Sequence, residues 1–225
     1  MAFWNEQALI LYASVVIIVL VTIHESIRAL TGVAQLRKLR AYERDARAVL
    51  SAALALTVKN VGAPWDRVGA HAFLIRGFWR FRRLSKVGGV RLGAEPSMSD
   101  PRWKPGKGVV GIAYEKRDIV TIDWRALFQA AAAAGPDAWR AAAVDSRFGL
   151  TWGELMRTQN YTGLAGCPVF DSGGKLIGAV TIDAPLSMAD LNSDPMKQIL
   201  RDLARAVDDL GRPPSSWWRY NGPGS

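Results

Sequence analysis

The sequence predicts an α+β fold, an antiparallel sheet flanked by helices and preceded by an N-terminal transmembrane helix. Three observations carry this reading: an uncharged apolar run at residues 8–23, a helical period that continues it to about residue 59, and a hairpin pattern at residues 163–185. Only one long helix separates neighbouring strand candidates, which argues against a doubly wound parallel sheet. With 225 residues, 49% hydrophobic and 22% charged, the chain can bury a core in one domain of ordinary size, so disordered and collagen-like readings are excluded. Its one cysteine, Cys167, excludes a disulfide framework and a four-cysteine metal site. His24 and His71 are its only histidines, so no metal and no cofactor is expected.

The run ALILYASVVIIVLVTI has sixteen residues and, as a helix, covers about 24 Å at 1.5 Å per residue. A hydrocarbon core of about 30 Å prefers roughly 20 residues, and Phe3 and Trp4 can serve as interfacial aromatics ahead of the run. A signal peptide is disfavoured because Glu6, and no Lys or Arg, precedes the run and no small-x-small cleavage pattern follows it. The run is apolar on every face, which suits lipid better than a core of this size. Arg28, Arg37, Lys38, Arg40, Arg44 and Arg47 follow, so the remainder is expected to be cytoplasmic.

From residue 25 to about 59 apolar residues recur at helical spacing, forming a stalk that is expected to pair with its copy in a homodimer. Residues 70–78 and 81–87 read as a strand pair, with Gly88-Gly89 as a turn after it. Residues 97–105 read as a loop, 109–114 as a helix or short strand, and 118–122 as a strand. Residues 124–143 read as an Ala-rich helix broken at Gly135-Pro136. CPVF, the turn DSGGK and LIGAVTID form the hairpin, and residues 194–210 a last helix. The tail PPSSWWRYNGPGS shows neither period and is expected to be flexible, with Trp217 and Trp218 available to a membrane interface or a partner.

Two stretches, PGKGVVGIAYEKRDIVTID at residues 105–123 and YTGLAGCPVFDSGGKLIGAVTID at 161–183, resemble a GAF domain. In that family a G-x-G-x-x-G-x-A segment leads into the middle strand, and a small-x-P-V-F/I-D-x-x-G-K-x-I-G-x-V-x-I hairpin supplies the last two strands. The resemblance covers roughly residues 36–210. It implies an antiparallel sheet of five or six strands with flanking helices, in a module that senses small ligands or dimerises. Departures accompany it: Cys167 falls in a strand expected to be core, where a bilin attachment is unsuited. The several cysteines of free-methionine-sulfoxide reductases of this fold are lacking, and so is the N-K-x-F-D signature of cyclic-nucleotide binders.

The expected organisation is a membrane anchor at 1–27, a stalk and first helix at 28–60, a GAF-like domain at 61–210 and a tail at 211–225. Gly106, Gly108 and Gly111 spell the dinucleotide fingerprint, but a Pro-containing loop precedes them and Asp123 comes too early for the ribose acid, so they are read as backbone geometry. Cys167 and His71 are read as structural, His71 because no carboxylate or cysteine lies near it in sequence. No pair of carboxylates, Ser-His-Asp set or metal cluster assembles from the sequence, so no catalytic residue is assigned and no enzyme is expected.

Nine tryptophans remain to be placed. Trp103, Tyr114, Trp124, Trp152 and Tyr161 are the candidate lining of an apolar or aromatic pocket, their bland reading being core packing. Arg76, Arg80, Arg82, Arg83 and Lys86 are the candidate contact with a membrane or phosphate, their bland reading a solvated face. Nucleic acid ranks below both. The expected function is a membrane-anchored cytoplasmic sensory module that passes its state to a separate partner, since few residues follow the domain. The alternative is a ligand-free scaffold for protein interaction at the membrane. The Ala and Arg richness fits a bacterial source.

Overall fold

Nothing in the first sixty residues stops a helix: there is no Pro, and Gly32 is the single Gly. The computed structural model, which describes residues 2–77, 81–93, 102–215 and 217–220, accordingly shows one helix, α1, over Ala2–Val61. Gly62, with a left-handed φ of 78°, ends it. Along its length α1 changes surroundings. Val15 to Leu20 are each about half exposed or more, whereas Leu39, Tyr42, Ala46, Leu50, Ala53, Leu54 and Thr57 are buried at steps of one, three and four residues. Among the described residues this is the one helix long and apolar enough to cross a membrane.

The buried stripe of α1 rests on a five-stranded antiparallel sheet of β1 (Gly69–Arg76), β2 (Arg83–Arg91), β3 (Val120–Asp123), β4 (Gly163–Phe170) and β5 (Leu176–Ala184). The strand order is β2-β1-β5-β4-β3. Strand alternation divides the side chains cleanly. Ala70, Ala72 and Leu74 of β1, Ala165, Cys167 and Val169 of β4, and Val180, Ile182 and Ala184 of β5 join the core formed with α1 and α6 (Asp194–Asp209). Helix α6 begins at Ser193, whose side chain accepts the Met196 N–H, and buries Met196, Ile199, Leu200, Leu203, Ala204 and Val207.

The opposite face is covered by α2 (Gly108–Lys116), α3 (Trp124–Ala141) and the short α4 (Trp152–Met156). A four-residue turn, α5 (Met188–Leu191), joins β5 to α6. The expected break in α3 is present at Gly135, φ 85°. Residues 109–114, open to either reading from sequence, belong to a helix. The sequence offers no period for α4, which is instead fixed by a capping box between Thr151 and Glu154.

Two expectations are corrected. Gly88-Gly89 is no turn; both lie inside β2, next to a bulge opposite Ala72 and Phe73. A Cβ on Gly88 would lie 2.9 Å from Leu50 Cδ1, so this glycine lets α1 approach the strand closely. The first strand ends at Arg76 and the second starts at Arg83, with Gly77 at φ 90° opening the reversal. Phe78, Trp79 and Arg80 lie outside the described residues, as does most of the expected loop at 97–105. Further on, Trp217–Tyr220 form a turn of helix, α7. Trp217 is buried edge-on to Tyr42, with ring centroids 5.2 Å apart, and Tyr42 Oη donates to the Gly211 carbonyl at 3.4 Å.

Candidate ligand site on the sheet face

Antiparallel register assembles the site. Arg91, Gly69 and Asp183 share one row across β2, β1 and β5, and His71 stands two residues along β1 on the same face. With glycine between them, Arg91 and Asp183 meet across the middle strand. The Arg91 guanidinium pairs with Asp183 Oδ2, and its charged end lies 5.5 Å from the centroid of the Tyr161 ring. His71 Nε2 lies 3.5 Å from Asp183 Oδ1, within ion-pair reach but without hydrogen-bond geometry. Lys86 borders the group: a Cβ on Gly89 would sit 2.7 Å from Lys86 Nζ and 2.8 Å from His71 Nδ1. Burial pushes the Tyr161 phenol up, and the Asp183 charge adds to it while Arg91 opposes.

The pairing leaves polar atoms over. His71 Nδ1, His71 Nε2 and Asp183 Oδ1 are buried with no hydrogen-bond partner among the described residues. Each such atom costs about 1–3 kcal/mol. A set of them, with a donor-capable ring beside a carboxylate, is suited to a small polar molecule that both donates and accepts.

A second, partly buried pair stands on the same side of the sheet. Lys107, just before α2, donates to Glu154 Oε1 of α4 at 2.5 Å. Burial raises the Glu154 carboxyl, and the hydrogen bonds from Lys107 and Thr151 with the Lys107 charge outweigh that, holding it below its ordinary 4.5. A lowered pKa in the folded state contributes stability above the unfolded value, and that contribution disappears as pH falls through the folded value. Stability is therefore expected to fall as pH drops below about 4.5, and Glu154→Gln to be less stable at pH 7 yet flatter over that acid range. Urea midpoints across pH would show it; parallel profiles for the two proteins would refute the assignment.

The five aromatic candidates all lie on this side of the sheet, in different roles. Trp124 is 1% exposed and its Nε1 donates to Thr158 Oγ1 at 3.0 Å, so it is core. Tyr114 is buried in α2 beside Phe73, Leu84 and Ala179. Trp103 is half-buried, edge-on to Phe73 at 6.5 Å, and so close to Gly108 that a Cβ there would lie 2.3 Å from its ring. That contact, with φ 64° at Gly108, accounts for a glycine of the G-x-G-x-x-G run as backbone geometry. Trp152 is half-buried in the cluster around Trp124, and of the five only Tyr161 contacts the polar group.

The described residues of the basic stripe take different places. Arg76 and Arg82 line a cleft at the other end of the sheet, and Arg83 is exposed at the start of β2. Lys86 turns toward His71, and Arg80 lies outside the described residues. Although no carboxylate lies near His71 in sequence, the fold brings one beside it from far along the chain. Asp183 was missed, although a charge at an inward position of an otherwise apolar strand is a signal that sequence offers.

Neither a family model nor a curated protein matches the sequence. Solved structures do. A type II free methionine-R-sulfoxide reductase from Thermoplasma acidophilum is 20% identical over 75% of this chain and 94% of its own, with a TM-score of 0.44. The GAF domain of an Acinetobacter phosphoenolpyruvate-protein phosphotransferase is 15% identical over 79% and 92%, with a TM-score of 0.43. A free methionine-R-sulfoxide reductase from Neisseria meningitidis is 17% identical over 72% and 74%, with a TM-score of 0.39. The fold is GAF-like. The five-stranded antiparallel sheet between two helical layers, reached through the two quoted motifs, is what the resemblance implies.

Scores of this size say nothing of what this GAF-like chain binds. They do correct one expectation. Two of these three structures are reductases, so the exclusion of an enzyme does not stand. In this chain Cys167 is 4% exposed on the α1 side of the sheet, and burial pushes its thiol up to about 11.

Proposed function

We propose that this chain is a GAF-like sensory module, binding a small polar molecule on the sheet face around His71, Asp183 and Arg91. The observation that carries the reading is the set of buried atoms left without partners on His71 and Asp183, beside a fixed guanidinium. The first part of α1 anchors the module in a membrane, and the basic residues from Arg28 to Arg47 hold the domain on the cytoplasmic side. Two copies pair through the stalk. A ligand that favours one arrangement of the sheet and α1 shifts the population of the pair, and a separate protein reads that shift.

Native mass spectrometry of the full chain, released from detergent micelles, tests this. The expected spectrum shows a dimer carrying a small-molecule mass that disappears in His71→Leu, a variant that keeps its melting temperature because it removes two unsatisfied atoms. A chain that carries no such mass, and whose melting temperature no metabolite raises, would instead support the ligand-free scaffold.

A further inference from the structure

At the end of the sheet away from Asp183 lies a cleft of about 920 Å³. Strand direction fixes its place. From His71 to Arg76, β1 advances five residues, about 17 Å, so the cleft is separate from the group around Asp183. Arg76 comes from the end of β1, Arg82 from the reversal after it, Arg117 from the end of α2, Lys175 from the β4–β5 turn and Arg212 from the segment after α6. The β1–β2 reversal, α2, the β4–β5 turn and the segment after α6, four regions distant in sequence, thus bring five cations to the lining of one cleft.

The electrostatics are one-sided. Among the described lining residues Glu115 is the single carboxylate, and none of the five cations forms an ion pair with a described residue. Five positive charges outweigh Glu115 and the carbonyl end of α2. A floor is present too: Leu74, Tyr114, Leu176 and Trp218 line the cleft, and the Arg76 guanidinium lies 5.0 Å from the Trp218 ring centroid, which holds it over the ring. Converging guanidinium groups with few acceptors of their own match a compact polyanion, and arginine matches phosphate oxygens in pairs.

We propose that this cleft binds a soluble small molecule carrying two or more phosphates. A lipid headgroup offers the same chemistry, but α1 places it badly. The cleft lies at the level of Tyr42, which bonds Gly211 next to Arg212. On the anchored reading proposed above, the eighteen residues from His24 to Tyr42 rise about 27 Å, and the headgroup layer takes up only about 5–7 Å of that.

The full chain in phosphatidylcholine nanodiscs, titrated with inorganic tripolyphosphate, decides the matter. Binding is expected at low ionic strength, to weaken with salt, and to weaken at least tenfold in Arg117→Gln/Arg212→Gln, whose residues are exposed and whose loss should leave the fold intact. Lys59→Gln/Arg125→Gln removes the same charge from elsewhere on the surface and should bind as the native chain does. Absence of binding by the native chain, or an equal loss in both double variants, would overturn the proposal. So would displacement of tripolyphosphate when a phosphatidylinositol phosphate is added to the nanodisc, which would give the cleft to the lipid. None of these outcomes touches the site around His71, whose bound mass is measured separately.

Discussion

Asp183→Ala is expected to destabilise the domain by about 3–5 kcal/mol, a third or more of the stability of many domains. The carboxylate side chain is 4% exposed and that of its Arg91 partner 12%. Removing the acid leaves a guanidinium shut inside beside Tyr161, with Lys86 nearby and its carboxylate partner gone. A buried charge stripped of its partner is far costlier than the pair was beneficial, because the desolvation of the remaining ion persists while the attraction that offset it has gone. Arg91→Ala should cost a similar amount for the mirror reason. Replacing both at once, as Arg91→Met/Asp183→Leu, should return most of the stability, since two apolar side chains suit a sheet face so nearly enclosed. Urea denaturation of the three variants separates the terms. A loss under about 1 kcal/mol in Asp183→Ala would mean that the pair is open to water, and the ligand site proposed beside it would lose its basis.

That pair also shows why some of this protein is legible in its sequence and some is not. The hairpin at residues 163–185 is local: its turn residues and the alternating apolar positions on each side specify register within a couple of dozen residues. Helix α1 is legible for the same reason, because its period needs no partner to be seen. By contrast His71, Arg91 and Asp183 come together only through the pairing of β1 with both β2 and β5, so no window of sequence contains the constellation. Gly88-Gly89 misleads because two adjacent glycines signal a turn locally, while the reason for one of them is Leu50, on a helix packed across the strand. Helix α4 was invisible because five residues are too few to display a period. Trp217 belongs to a stretch with no pattern at all and is placed by burial in the α1–α6 core, edge-on to Tyr42.

A chain beginning at residue 28 is expected to stay folded, and one beginning at residue 61 is expected not to fold. The folded domain is thus expected to begin at a point along α1 and not at its end. Leu50 and Leu54, 1% and 0% exposed, sit in the same core as Val180, Ile182 and Leu200, so the second half of α1 is one wall of the domain. Truncating either leucine to alanine should cost about 2–5 kcal/mol, a large share of the 5–15 kcal/mol that domains typically possess. The two substitutions are one helical turn apart and share neighbours, so their effects should not simply add. Circular dichroism melts read the outcome. If residues 61–225 melted cooperatively at the temperature of residues 28–225, α1 would be a tether only. If they do not fold, one unbroken helix joins the apolar segment to the wall of the core. Any shift of the sheet against that wall is then expected to move the first half of α1 with it, because no loop or Pro interrupts α1 between Leu20 and Leu54 to absorb it.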